Sequence, residues 1–215
     1  MFEMRGVRRQ NRGRLQNQGF TLNEQTLSRR LERVAAHVPQ GARLADIGSD
    51  HGYLPVALML RGVIEAGVAG EVAQTPFASA QRSVRRNGLQ EQVTVRLADG
   101  LAAVEPQDRI SVVSICGMGG DTMCEILEAG KQRLGGVTRL VLQPNGGERE
   151  LRQWLAGNSY QIVSEELLRE IRFDYEIIVA EPGRVMYSAE QLYFGPVLMQ
   201  EKSEAFVVKW QIEYS

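Results

Sequence analysis

A short glycine-containing segment, Leu44–Gly52, constrains the fold of this chain more than any other feature. Apolar residues lead into Asp46, glycines 48 and 52 then interrupt the apolar run, and a helix-like segment follows. The next apolar run ends at an acidic residue, Glu71. A strand, a glycine loop, a helix and a second strand ending in an acid form the cofactor half of an open α/β sheet. We therefore predict an α/β fold of the Rossmann type that binds a nucleoside-containing cofactor at this loop.

The residues of the loop indicate which cofactor it suits. A dinucleotide-binding loop has the pattern G-x-G-x-x-G, whereas here Ser49, Asp50 and His51 stand between the two glycines. The carboxylate of Asp50 is a poor neighbour for a pyrophosphate but is compatible with a sulfonium or an amino group. S-adenosylmethionine (SAM) therefore fits this loop better than NAD does.

Size and composition indicate a soluble globular protein with one ordinary domain and a small appendage. The chain has 215 residues, of which 43% are hydrophobic and 24% are charged, as is typical of folded domains. No apolar run approaches the roughly 20 residues that span a bilayer. The first twenty residues are Arg-rich and lack the apolar core of a secretory signal, so we expect a cytoplasmic protein. A monomer is the default expectation, since nothing in the sequence specifies an oligomer.

Charge is distributed unevenly along the chain. Residues 1–20 carry five arginines and one glutamate, whereas the formal net charge of the whole chain is −1. The remainder is therefore acidic and cannot bind nucleic acid through its overall charge, so any RNA contact needs local basic patches. We interpret residues 1–20 as a disordered basic tail, and an arm that grips phosphates is the alternative.

Predicted strands and helices alternate along residues 21–183. The predicted parallel strands are Arg43–Ile47, Val63–Glu71, Val93–Leu97, Ile110–Ile115 and Arg139–Leu142. The helices between and after them are Leu54–Leu60, Pro76–Asn87, Thr122–Leu134 and Glu148–Leu155. Two last apolar runs, Tyr160–Leu168 and Phe173–Ala180, are separated by only four residues, which is typical of an antiparallel pair. This order predicts a mostly parallel sheet with an antiparallel edge.

One more helix is predicted at each end of this domain. At the start, Thr21–Val38 has helical apolar spacing, with Asn23 or Thr26 as its N-cap. At the other end, residues 184–215 form a separate helical segment, with a helix from about Pro196 onward. Three arginines of the first helix form either a solvated face or a basic stripe toward an RNA substrate: Arg29, Arg30 and Arg33.

Acidic residues and glycines stand where successive predicted strands end. Ligands of open α/β sheets bind beyond the carboxyl ends of the strands, where the strand order reverses. We expect the Gly48–Gly52 loop to lie under the amino and carboxylate groups of the cofactor. Glu71 can accept hydrogen bonds from two ribose hydroxyls, and Asp99 can accept from an adenine amino group, with Gly100 allowing close approach.

Two further segments follow the fourth and fifth predicted strands. Gly117–Gly120 either gives two ligands room to meet and supplies backbone donors, or is a tight turn, with Met118 packing. Gln143 and Pro144 lead into Asn145, and this segment either reads a base edge or is a structural turn. The predicted cofactor-binding residues are thus Asp46, Gly48, Ser49, His51, Gly52, Glu71, Asp99, Gly100, Gly117, Met118 and Gly119.

Other chemistries are disfavoured by the residues present. His51 and His37 do not have the spacing of metal ligands, so we expect no metal site and interpret His51 as a loop or cofactor contact. Cys116 stands at the mouth of the predicted cleft, but no histidine partner for a nucleophile is evident. The cysteines, Cys116 and Cys124, give no disulfide framework.

A set of motifs resembles one bacterial family. The stretches GSDHGYLP (48–55), GMGGDTM (117–123), LQPN (142–145) and YEIIVAE (175–181) together resemble the tRNA (adenine-N1)-methyltransferases called TrmK, which modify adenine 22 of tRNA. The resemblance covers roughly Leu27 to Trp210. It implies a class I methyltransferase core, SAM as the methyl donor, tRNA as the substrate and a C-terminal helical coiled coil. We expect this chain to carry only the first part of that coiled coil.

Methyl transfer to adenine then suggests roles for the residues at the mouth of the cleft. The N1 atom has a lone pair, so the enzyme must position it rather than deprotonate it. The methylated base is a cation, so hydrogen-bond acceptors near N1 or N6 should stabilise the transition state. Our candidate catalytic residues are Asp50 and Asn145, and the candidate RNA contacts are Arg29, Arg30, Arg33, Gln143 and Pro144.

Three other functions are compatible with the same fold. The chain could methylate another RNA or a small molecule, transfer a hydride with NAD, or bind RNA without catalysis. Binding of S-adenosylhomocysteine but not NAD separates the first from the second. If the chain bound RNA without catalysis, we would expect no cofactor binding, and the acids at three strand ends argue against this alternative.

Overall fold

The computed structural model describes residues 26–170 and 173–213 and contains a seven-stranded sheet. The strands are β1 (Ala42–Ile47), β2 (Ile64–Glu71), β3 (Val93–Leu97), β4 (Val112–Met118), β5 (Arg139–Pro144), β6 (Tyr160–Glu170) and β7 (Phe173–Pro182). Their order in the sheet is β3-β2-β1-β4-β5-β7-β6. The first five strands are parallel, and β7 is antiparallel to both β5 and β6. The predicted mostly parallel sheet with an antiparallel edge is confirmed.

The strand order places the predicted cofactor loop at the switch point of the sheet. From β1 the chain proceeds outward to β2 and β3, and then returns to pair β4 with the other side of β1. Connections on either side of this point leave a crevice beyond the strand ends, where ligands of such sheets bind. β4 and β5 extend further into this region than predicted, to Met118 and Pro144.

Eight α-helices in the described residues cover the sheet and its antiparallel edge. They are α1 (Arg29–Ala36), α2 (Tyr53–Leu60), α3 (Gln74–Arg86), α4 (Gly120–Ala129), α5 (Glu148–Gly157), α6 (Ala189–Phe194), α7 (Leu198–Glu201) and α8 (Glu204–Glu213). Short 3-10 turns occur at Gly100–Ala103, Pro106–Asp108 and Lys131–Arg133. Within the described ranges, none of these helices is long and apolar enough to cross a membrane.

Apolar side chains of the strands alternate between two cores, one on each face of the sheet. Leu44 and Val141 pack with the helices α1 and α2 on one face. Ala45 and Leu142, their neighbours in sequence, pack with α4 and α5 on the other face. Because both faces are covered, the central strands are almost wholly apolar, as is typical of parallel sheets.

The helices at the two ends differ from their predicted bounds. The predicted N-cap Thr26 is wrong, because Ser28 caps α1 by accepting a hydrogen bond from Leu31 N at 3.2 Å. Asn23 and residues 1–20 lie outside the described residues. The continuous helix predicted from about Pro196 is also wrong. The chain forms α7 and α8 separately, because the backbone of Lys202 is left-handed at φ 45°.

A buried charged cluster holds the C-terminal helices against the antiparallel edge. The Arg152 side chain of α5 has no exposed surface, and its Nε atom donates to Glu165 Oε1 at 2.7 Å. Its Nη2 atom donates to Glu176, which also accepts from Lys209 of α8 at 2.7 Å. Glu165 accepts from Val197 N at 2.8 Å, near the start of α7. The cluster therefore joins α5, β6 and β7 to the C-terminal segment.

Candidate active site

The loop after β1 has the tight backbone that its glycines permit. Gly48 has a φ of +70°, and a side chain there would meet the Met118 methyl group, which lies 2.1 Å from the position of a Cβ atom. Asp50 also adopts a left-handed conformation, with a φ of 59°. A non-glycine residue in this region is strained, and such strain is characteristic of functional loops. The predicted loop thus places Asp50, whose backbone is in this left-handed conformation, at the switch point.

Asp46, near the end of β1, holds this loop by a hydrogen bond. Its carboxylate is buried and accepts from Ser114 Oγ and Ser49 Oγ, each at 2.6 Å. Burial raises the pKa of Asp46, and the two hydroxyl donors oppose that rise. With both oxygens bound by serines, Asp46 fixes the loop. Direct contact with a cofactor stays a prediction for Asp46, as for Ser49.

Glu71, at the end of β2, is a buried acid with spare hydrogen-bonding capacity. It is 5% exposed, and no residue in the described part of the chain donates to its Oε1 atom. Burial raises its pKa to about 7, with the nearby charges of Asp46 and Asp50 adding to the rise, while the Asp50 backbone N–H opposes it. A buried acceptor without a donor is costly, so this oxygen is suited to a ligand hydroxyl.

A cavity of about 550 Å³ opens beside Glu71. Its neighbours in sequence, Gly70 and Val72, line this cavity, as do Asp99 and Gly100 at the end of β3. Val72 is 71% exposed, which is unusual for an apolar residue and leaves its side chain available to a ligand ring. A further part of the wall comes from α4, including Thr122, Glu125 and Ile126. Asp99 thus lines this cavity, and Glu71 lies between two residues that line it.

A second cavity of about 290 Å³ adjoins the first. Gly48 and Met118 line both cavities, so the Met118 side chain stands between them. The second cavity is also lined by Ser49, Asp50, Tyr53, Arg30, Asp46, Cys116 and Gly117. Two adjoining cavities at the switch point suit a cofactor and an acceptor that meet near Met118.

His51 and Cys116 lie near the loop, and the predicted cofactor contact of His51 stays a prediction. The His51 ring stacks on Tyr53 with ring centroids 4.9 Å apart, at the surface of the loop. Burial raises the pKa of the Cys116 thiol far above its usual range, which disfavours the thiolate form that a nucleophile needs. Among the described residues no group of three or more metal-ligating side chains occurs.

The segment after β5 forms a hydrogen-bonded network with the end of β4. Gln143 is fully buried, and its Oε1 atom accepts from Arg30 and from Gly117 N, the latter at 3.1 Å. Its Nε2 atom donates to Pro144 O at 2.7 Å and to Asn145 Oδ1 at 3.1 Å. The predicted RNA contacts of Gln143 and Pro144 stay predictions, and the structure gives the Gln143 side chain partners within the protein.

The glycines of the two loops differ in how much space a side chain would have at each position. A Cβ atom on Gly120 would lie 2.0 Å from Gly147 O, so the two loops can touch only with glycine at this position. Gly119 has open space around it and caps the start of α4. Gly52 precedes α2 and approaches Ala80 closely. Structural packing thus accounts for Gly120, whereas cofactor contacts of Gly119 and Gly52 stay predictions.

The three arginines predicted to contact RNA do not form one stripe. Arg30 lines the second cavity and lies over the Tyr175 ring, 5.6 Å from its centroid. Arg33 instead forms a two-point ion pair with Glu166, with its shorter contact at 2.6 Å. Arg29 is exposed and donates to the backbone oxygen of Arg169 at 3.3 Å. Arg30 is therefore the arginine of this set that the structure brings to the candidate site.

Comparison with known proteins identifies the family. The TrmK profile, tRNA (adenine(22)-N(1))-methyltransferase, matches residues 44–215. The chain belongs to the TrmK family. The tRNA (adenine(22)-N(1))-methyltransferase of Bacillus subtilis strain 168 is 41% identical over 199 residues, covering 89% of this chain and 83% of the relative. The resemblance inferred from the motifs is confirmed.

Solved structures of similar proteins share the fold and include bound cofactors. The Streptococcus pneumoniae protein Sp1610, solved in complex with S-adenosyl-L-methionine, is 50% identical with a TM-score of 0.85; the match covers 86% of this chain and 87% of that chain. TrmK from M. capricolum, solved with S-adenosyl-homocysteine, is 29% identical with a TM-score of 0.72 and coverage of 79% and 75%. The class I methyltransferase fold predicted for this TrmK family member is confirmed.

The charge on Glu71 predicts a pH dependence of cofactor binding. An ionised carboxylate accepts from both ribose hydroxyls, whereas a protonated one loses part of that capacity. Since the pKa of Glu71 is raised to about 7, the ionised fraction increases between pH 6 and pH 8. We expect the affinity for S-adenosylhomocysteine to rise roughly tenfold over this interval. Calorimetric titration at three pH values checks this, and a constant affinity would contradict it.

Proposed function

We propose that this chain methylates N1 of adenine 22 in tRNA, with SAM as the methyl donor. The observation that carries the proposal is the pair of cavities that meet at Gly48 and Met118, one beside Glu71 and Asp99 and the other lined by Asp50. The unpartnered Glu71 oxygen fits a ribose hydroxyl, and the larger cavity is bounded by residues suited to an adenosine. The similarity to the B. subtilis enzyme supports the choice of tRNA.

SAM, when bound, supplies an electrophilic methyl group. The protein must then place the lone pair of the adenine N1 atom in line with that methyl group, and positioning of this kind lowers barriers by roughly 7–11 kcal/mol. The Gly48–Gly52 loop and the Met118 side chain lie where the two cavities meet and are suited to this alignment. The N1 atom of a paired adenine is hidden, so we propose that the base is unstacked before it enters the second cavity.

Asp50 is the acid proposed to act on the reacting base. Its side chain is 72% exposed in the protein alone and lines the second cavity, with His51 Nε2 at 3.7 Å. As N1 is methylated the base becomes positively charged, and a nearby carboxylate stabilises that charge. A role in catalysis would also give a reason for the left-handed backbone of Asp50, since such conformations cluster at functional sites.

Replacement of Asp50 by asparagine is expected to slow methyl transfer. We expect kcat with tRNA to fall by about tenfold to a hundredfold, while the affinity for S-adenosylhomocysteine changes little. Single-turnover transfer from labelled SAM measures the chemical step. Glu91→Gln, an exposed acid near the amino end of β3, is the matched control. Near-normal transfer by the Asp50 variant would mean that its carboxylate does not stabilise the cationic base.

Substrate class is tested by a panel of acceptors. Unmodified tRNA transcript, ribosomal RNA and a metabolite mixture are incubated with the protein and labelled SAM, and binding of S-adenosylhomocysteine and NAD is measured by thermal shift. The proposal predicts label in tRNA and stabilisation by S-adenosylhomocysteine alone. Label confined to another acceptor would indicate a different methyltransferase, and stabilisation by NAD alone would indicate an oxidoreductase.

A further inference from the structure

Arg30 determines how the amide of Gln143 is oriented. A guanidinium can only donate hydrogen bonds, and so can the backbone N–H of Gly117. Both are directed at one atom of the Gln143 side chain, which must therefore be its oxygen. The Gln143 Nε2 group consequently points the other way, where it meets the carbonyl oxygen of Pro144 at 2.7 Å. Burial of Gln143 excludes water as an alternative partner and makes this orientation the stable one.

Gln143 in turn determines the orientation of Asn145. The Nε2 atom of Gln143 is a donor, so the Asn145 atom 3.1 Å from it must be the oxygen Oδ1. The Asn145 backbone is fixed as well, because its N–H donates to Met118 O at 2.7 Å. Asn145 is exposed, and within the described residues none accepts a hydrogen bond from its Nδ2 group. The side chain therefore presents a donor, not an acceptor, beside Met118.

We infer that Asn145 donates a hydrogen bond from Nδ2 to an acceptor ring nitrogen, N3 or N7, of the target adenine. Arg30 and Gln143 act as positioning residues that set this polarity. The inference rests on the proposed function and revises our expectation that Asn145 is an acceptor near N1 or N6. The exocyclic amino group of adenine is a donor, so it does not match the Nδ2 group, whereas both ring nitrogens do. Asp50, which lines the second cavity, remains the proposed acceptor.

Two substitutions of Asn145 test whether its side chain presents a donor to the base. Asn145→Asp replaces the donor by an oxygen, which faces the lone pair of the ring nitrogen. Asn145→Ala removes the group without repulsion. If Nδ2 is the donor, the aspartate variant is less active toward tRNA than the alanine variant, and the alanine variant is about tenfold less active than wild type. If the aspartate variant is instead more active than the alanine variant, the donor assignment is wrong.

A substitution of Gln143 tests its positioning role separately. In Gln143→Glu one oxygen still accepts from Arg30 and Gly117, but the other cannot donate to Asn145 or to the carbonyl oxygen of Pro144. The Asn145 amide then turns to donate to that oxygen and presents Oδ1 to the substrate. We expect methylation to fall by about tenfold with unchanged binding of S-adenosylhomocysteine. Gln92→Glu, which adds the same charge at an exposed site near the amino end of β3, is the control.

Base analogues separate this role from a merely structural one. tRNA with 7-deazaadenosine or 3-deazaadenosine at position 22 lacks one ring nitrogen each. Wild type should lose about tenfold in kcat/KM with the analogue that lacks the contacted nitrogen, whereas Asn145→Ala and Gln143→Glu should show no such loss. Any change in N1 basicity is common to all variants and cancels in the ratio.

The possible outcomes distinguish failure of the Asn145 assignment from failure of the proposed methyltransferase function. If wild type fails to methylate the natural transcript, the proposed function itself is wrong. If wild type methylates the natural base and discriminates against neither analogue more than Asn145→Ala does, the function stands and the hydrogen bond to the ring is overturned. The Asn145 variants change an exposed side chain and keep the test valid even if Gln143→Glu does not fold.

Discussion

Replacement of Glu71 by glutamine is expected to weaken the binding of S-adenosylhomocysteine by roughly 10- to 100-fold at pH 8. Glutamine has nearly the same shape, but its neutral oxygen is a weaker acceptor and its amino group cannot accept from a second ribose hydroxyl. The unpartnered oxygen of the buried Glu71 is the acceptor that this change removes. Isothermal titration measures the effect, and an affinity within about twofold of wild type would contradict the assignment.

Glu71→Gln is also expected to raise the free energy of unfolding of the cofactor-free protein. Burial raises the folded-state pKa of Glu71 from 4.5 to about 7, so the folded state holds this proton more tightly than the unfolded state. Wild-type stability from this group is therefore greatest below pH 4.5 and is lost as the pH rises through 7. At pH 8 the glutamine variant should gain about 1–3 kcal/mol in the free energy of unfolding, and little at pH 5. Glu91→Gln should show neither effect.

Replacement of Arg152 by alanine should reduce stability by about 3–5 kcal/mol. The change leaves the carboxylates of Glu165 and Glu176, both almost fully buried, without their shared cation. Burial already raises the pKa of Glu165, and the Arg152 charge opposes that rise. The Arg152 guanidinium also donates to the backbone oxygens of Leu192 and Tyr193, each at 3.3 Å, so its loss should loosen α6.

Urea unfolding measures this loss, and limited proteolysis shows whether cleavage begins after β7. Arg149→Ala, on the exposed side of the same helix, should stay within about 0.5 kcal/mol of wild type. Arg152→Lys keeps the charge but has fewer donors, so an intermediate loss is expected and remains measurable if the alanine variant fails to fold. A loss below 1 kcal/mol for the alanine variant would show that the cluster does not hold the C-terminal helices.

The placement of most candidate cofactor-binding residues at neighbouring strand ends was predictable from the sequence, because local signals mark those positions. Glu71 ends β2, and the glycines around Asp50 and the pair Asp99-Gly100 follow the ends of β1 and β3, whose apolar runs are visible in the sequence. Parallel strands bring their carboxyl ends to one edge, so the order of elements alone places these residues together. The exposure of the apolar Val72 next to Glu71, in contrast, is visible only in the structure.

The remaining features depend on contacts distant in sequence. The buried Glu165 interrupts the apolar face of β6, and the register irregularity between Ile162 and Ser164 that accompanies it becomes visible only once β6 pairs with β7. The left-handed backbone at Lys202, which separates α7 from α8, is not specified by its residue type. Likewise, the polarity of Asn145 follows from Arg30, which is 115 positions earlier in the chain and whose contact with Gln143 spans 113 positions. No spacing pattern in the sequence predicts a series of hydrogen bonds between residues this far apart.

Mapping of the methylated nucleotide tests the central claim most directly. An unmodified tRNA transcript is methylated by the full chain with labelled SAM, and the product is digested and sequenced by mass spectrometry. A second transcript carries 1-deazaadenosine at position 22, where a carbon replaces the reactive nitrogen. The account predicts one methyl group on N1 of adenine 22 in the first transcript and none at position 22 in the second. Methylation at another nucleotide, or methylation at position 22 in the transcript that lacks N1, would contradict it.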